Sequence, residues 1–181
     1  VASSADYDLD GIPDACDVCP TNPSPDCTEV VDYPIVSTDN SMARQWNEML
    51  LASIRGDYAR PTVHARNLWH CSLLMWDSWA VMEPSACPAF LGQDYAGFQA
   101  PFDGFIPSTD IATARDEALA FGMFRFLQHR FANAPQANNL MTGYEVHMAT
   151  LGYDVNFTST DFSSGDGRAL GNYLASQLIA F

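Results

Sequence analysis

The stretch RPTVHARNLWHCSLLMWDSWAVMEP, residues 60–84, decides the fold class. Pro61 suits the first turn of a helix, where its missing N–H costs nothing, and Pro84 closes the run. Between them Val63, Leu68, Trp69, Leu73, Leu74, Met75, Trp76, Trp79 and Val81 surround the helix instead of forming one stripe. An apolar residue on every side predicts a central, buried helix.

The flanking sequence repeats the helical pattern. In STDNSMARQWNEMLLASIRG, residues 37–56, cap-type residues Asp39, Asn40 and Ser41 precede apolar positions at Met42, Trp46, Met49, Leu50 and Ile54, and Gly56 is a stop. Residues 85–109 carry proline, glycine and aromatics without a period and read as a long loop. STDIATARDEALAFGMFRFLQHRFANAP, residues 108–135, is a third helix, capped by Ser108, Thr109 or Asp110, with Asp116 and Glu117 in its early turns. QANNLMTGYEVHMATLGYD predicts a fourth helix ending at Gly152, and SSGDGRALGNYLASQLIAF a fifth starting at about Ser164 to Asp166. The fifth runs to Phe181 without a stop signal, and Leu178, Ile179 and Phe181 lead to the expectation of an exposed apolar end on a truncated or cleaved chain. The fold class is therefore mostly α, a bundle-like helical domain over residues 41–181.

Residues 1–40 differ. They contain five of the eleven prolines, nine acids and no Lys or Arg, and they show no helical period, so they read as a loop-like module and linker. The remaining 141 residues carry thirteen acids and eight arginines, and there is no lysine, for a net charge of −14. Such a chain will not bind nucleic acid by neutralising phosphates, and its natural small partners are cations. No apolar run approaches the roughly 20 residues of a membrane helix, so no membrane span is expected. Hydrophobic residues make up 48% of the chain, enough for a real core. Three of the five cysteines, Cys16, Cys19 and Cys27, lie in the acidic segment, with Cys71 and Cys87 beyond it. This spacing favours local disulfides in an oxidising, extracellular or cell-surface setting, with zinc at Cys16-x-x-Cys19 as the rival reading.

The acidic segment holds DYDLDGIPDACDVCP, residues 6–20. Counting Asp6 as position 1, carboxylates fall at positions 1, 3, 5, 9 and 12 (Asp6, Asp8, Asp10, Asp14, Asp17) with Gly11 at position 6. Carboxylates so close repel one another unless a cation lies between them. Alternate carboxylates, a glycine turn, the Ile12 carbonyl and a late carboxylate follow calcium-loop logic, because calcium takes six to eight oxygens. The expected metal site is thus Asp6, Asp8, Asp10, Ile12, Asp14 and Asp17. The pattern, including Cys19 and Pro20, resembles the thrombospondin type 3 repeat, which implies an irregular, disulfide-tied calcium module at residues 1–40.

The helical region offers little chemistry. His64, His70, His129 and His147 lack metal-ligand spacing. Glu48 and Asp77 are expected as buried carboxylates paired with Arg44, Arg60 or Arg66. The G-D-G-x-x-x-G run at Gly165–Gly171 lacks a preceding strand and a lysine, so it reads as a helix start instead of a phosphate loop. Asn156-Phe157-Thr158 is a glycosylation sequon.

ARQWNEMLLASIRGDYARPTVHARNLWHCSLLMWDSWAV (residues 43–81), ARDEALAFGMFRFLQHRFANAP and LGYDVNFTSTDFSSGDGRALGNYLASQLIAF resemble the N-terminal helical region of vanadium-dependent haloperoxidase-like proteins, of the type 2 phosphatidic-acid phosphatase superfamily. That resemblance implies an all-helical fold. It also implies an anion site built from K-x6-R-P, P-S-G-H and S-R-x5-H-x3-D, none of which occurs here; Arg60-Pro61 has Ser53 where the lysine belongs. No catalytic residue carries over, and the chain alone is expected to be inactive. Vanadate would enter only with a missing C-terminal segment or second chain. The alternative is an extracellular structural or assembly subunit that packs against copies of itself, with a calcium-rigidified joint.

Overall fold

Local capping starts most of the helices. In a computed structural model describing residues 33–181, the Ser41 side chain accepts the Arg44 N–H, Asp110 accepts Thr113 N–H, and Asp166 accepts Arg168 and Ala169 N–H. The described residues form five helices: α1 (Met42–Arg55), α2 (Pro61–Ala80), α3 (Ile111–Phe131), α4 (Ala137–Thr150) and α5 (Gly167–Ala180). The fold is mostly α, as the periodicities predict. A small antiparallel hairpin, β1 (Asp94–Tyr95) with β2 (Phe98–Gln99), interrupts the long loop after α2.

The central helix is α3, not α2. It packs against all four other helices. Its run Ala118, Leu119, Ala120, Phe121, Gly122, Met123 and Phe124 is buried on every side. Its closest partner is α5, and small residues permit the approach. A Cβ at Gly171 would lie 2.3 Å from the Ala118 carbonyl oxygen and 2.8 Å from the Gly122 nitrogen, and one at Gly167 would lie 2.5 Å from the Ala114 oxygen. Ala114, Ala118 and Gly122 thus face Gly167 and Gly171 at one-turn intervals, leaving no space for a side chain between the backbones.

The α5 end is also packed. Leu178 is buried. The Phe181 ring lies 5.2–5.9 Å from Trp69, His70, Phe90, Tyr95 and Phe98. The bare apolar end expected from the sequence is replaced by an aromatic nest built from α2 and the hairpin loop. No helix among the described residues is long and apolar enough to cross a membrane.

Candidate functional site

Asp6, Asp8, Asp10, Ile12, Asp14 and Asp17 lie outside the described residues, as do Cys16, Cys19 and Cys27. Cys71 and Cys87 are both free thiols, one buried and one exposed.

Within the described residues α2 is the unusual element, because its polarity is inverted. Its buried residues include His64, Asn67, His70, Asp77 and Ser78. Trp69, Trp76 and Trp79 are 43%, 45% and 38% exposed, with Leu68 and Val63 beside them. An apolar helix surface was predicted all round, but only one side of it is covered.

The polar side is held by specific partners. Asp77 Oδ1 accepts the Ala89 N–H at 2.6 Å, and Oδ2 accepts those of Phe90 and Leu91 at 3.0 and 2.7 Å. Burial pushes this carboxyl up, and the three N–H bonds oppose that by favouring the ionised form. Asp77 therefore anchors the loop after α2; no arginine pairs with it, contrary to expectation. Glu48 pairs with Arg44 at 2.6 Å on the surface, and Arg60 with Asp57. The His64 Nε2 lies 2.8 Å from the Tyr58 carbonyl oxygen, and His70 Nδ1 accepts from Arg130 at 3.2 Å. His147 is buried with its ring 5.3 Å from Trp46, and His129 is exposed. These histidines are dispersed, and among the described residues no three His, Cys, Asp or Glu side chains converge on a metal-sized space. The first amides of α5 are capped by Asp166, so the glycine run is a helix start. Asn156 is exposed, with its side-chain amide donating to Asp154.

The opposite side of α2 forms the floor of the candidate site, an open groove of about 700 Å³. Ser72, Met75, Trp76 and Trp79 line its base. The first turn of α1 (Met42, Ala43) and the first turns of α3 (Ala112, Arg115, Asp116, Leu119) also border it. Trp76 is fixed by its Nε1–H, which donates to the Cys87 carbonyl at 3.0 Å, and its ring lies 5.3 Å from that of Trp79. Arg115 lies over the Trp79 ring at 5.1 Å and donates to Glu83 at 3.1 Å and to the Met82 carbonyl at 3.0 Å. Its charge is therefore already matched. Asp116 makes no hydrogen bond or ion pair among the described residues; partial burial and the nearby Asp110 push its carboxyl up.

The groove went unrecognised in the sequence although a signal was present. Ala65, Trp69, Ser72, Trp76 and Trp79 are all exposed and recur at steps of four, three, four and three. That is the heptad spacing of a helix that meets another helix, and Ser72, Trp76 and Trp79 of the row line the groove while Trp69 packs against Tyr95 and Phe181. It was hidden because the opposite seam also carries apolar residues, at Cys71 and Leu74. No protein-family model matches the chain, no curated protein matches it in sequence, and no solved structure matches its fold.

Proposed function

We propose that this chain is the non-catalytic N-terminal helical portion of a secreted, calcium-binding, vanadium-dependent haloperoxidase-like protein, whose anion site is made by a further segment or second chain. The observation that carries the reading is the inverted α2. An indole-lined helical face at heptad spacing is a surface for another helix, and a large exposed apolar patch marks an interaction site. His64, His70, His147 and Asp77 are consistent with it, because each is buried and packed or hydrogen-bonded within the fold. Calcium at Asp6–Asp17 rests on the spacing of the carboxylates, and the haloperoxidase likeness on the quoted helical segments.

Peptide mapping of material purified natively from its source tests this. Co-purifying peptides with R-P, S-G-H or histidine-rich motifs are expected, and vanadate-dependent bromination should follow them and be absent from this chain alone. Recovery of a single 19.9 kDa chain in assemblies that calcium chelation loosens would replace the reading with that of a structural subunit.

A further inference from the structure

We propose that the α2 groove receives an amphipathic helix with a cationic flank, from a partner segment or chain and not from a second copy of this chain. The inference rests on the reading of α2's outward face as a docking face and adds the chemistry of what docks there.

The lining has the relief of a helix-receiving surface. Small residues Ala43, Ser72 and Ala112 line it together with Met42, Met75, Trp76, Trp79 and Leu119. A mixture of small and large side chains leaves holes into which the knobs of an incoming helix fit. With α1 and α3 bordering it, the groove holds a row of side chains from one helix face, the arrangement of helix-in-groove recognition. Two half-exposed indoles at its base are the residue type that dominates binding energy when desolvated.

Charge selects the occupant. Arg115 is matched by Glu83, leaving the Asp116 carboxylate on the border of the groove with Asp110 near it. A lysine or arginine beside the apolar seam of an incoming helix would pair with Asp116 and lay its stem along the Trp76 ring. A second copy of this chain brings eight arginines against twenty-two acids, a charge of −14, to a surface that is itself acidic. That repulsion disfavours self-pairing and favours a basic partner.

The test uses the full chain and two fluorescent helical probe peptides with the same leucine seam, one flanked by lysines and one by glutamates. The lysine peptide is expected to bind about tenfold more tightly than the glutamate peptide at low salt. Asp116→Lys should abolish that preference. Glu145→Lys, the same charge change on an exposed position of α4, should leave most of it. Trp76→Ala should weaken the lysine peptide about tenfold or more, with circular dichroism confirming that the variant is folded. Equal losses in Asp116→Lys and Glu145→Lys would trace the preference to overall charge. That result, or equal binding of both peptides to the parent chain, overturns the cationic flank and leaves the docking face standing. Binding of neither peptide, with no effect of Trp76→Ala on co-purification, overturns both. Concentration-dependent dimerisation lost in Trp76→Ala would place a second copy in the groove and overturn the assignment of the partner.

Discussion

His70 illustrates how a single buried side chain is committed by its surroundings. Its Nδ1 accepts from Arg130, which requires a neutral ring with the proton on Nε2, and that Nε2 is buried without a hydrogen-bond partner in the described protein. Trp69, Phe126 and Phe181 pack around the ring at 5.0–5.8 Å. Protonating Nδ1 would break the bond and set a cation beside two guanidinium groups. Burial first, and then Arg130 and Arg66, hold the imidazole down from 6.5 to about 4. The unfolded chain takes up this proton as pH falls through 6.5, while the folded chain resists until about 4. The contribution of His70 is therefore complete above pH 6.5, is lost between 6.5 and 4, and changes no further below that. A loss of about 3 kcal/mol over this window is expected from the shift. Urea unfolding at several pH values checks it. His70→Gln keeps an acceptor for Arg130 but cannot titrate, so its stability should depend less steeply on pH over the same range; an unchanged slope would remove the assignment.

At the scale of elements, α3 takes the central place that the sequence pattern assigned to α2. Both carry apolar residues on all sides, and composition alone cannot rank them. The small residues decide. Ala114, Ala118 and Gly122 let α5 lie directly against α3, so α3 is enclosed, while α2 keeps one side open. Gly171→Ala should therefore be costly, because its Cβ would meet backbone atoms of α3 instead of a flexible side chain. A loss of about 3 kcal/mol is expected, at the upper end of overpacking, measured as a shift in the denaturant midpoint. A shift below about 0.5 kcal/mol would mean that the two helices separate without difficulty, contrary to the packing described. Helix starts, by contrast, were legible to within two or three residues. Ser41, Asp110 and Asp166 cap the helices for which cap-type residues were read at those places, since a cap acts on amides two or three positions away.

At the scale of the whole molecule, charge is the dominant property. The charge of −14 is concentrated toward the N-terminus, where the five aspartates from Asp6 to Asp17 stand in calcium-loop spacing. Calorimetry on the full chain is expected to show calcium binding, and the combined Asp8→Ala, Asp10→Ala variant to lose it, because both remove early ligands of the proposed loop. Identical heats from the two proteins would eliminate the site. Binding should also reduce the salt sensitivity of the chain, since an added divalent cation offsets like-charge repulsion.

The sequence by itself determined the helical class, the approximate positions of the five helices, a short set of candidate caps for three of them, and the segregation of acidic charge. Each of these depends on side chains within a few positions of one another, or simply on their sum. Tertiary structure alone decided which apolar helix is central, that Asp77 binds loop amides twelve to fourteen residues downstream, and that Phe181 is enclosed by aromatic rings. It alone decided, too, that Trp76 and Trp79 of α2 face a groove while Trp69 packs against Phe181. Burial is a property of neighbours. Which side of an all-round apolar helix is covered depends on how closely other helices approach it, and at α3 and α5 that distance is set by the absence of side chains at glycines.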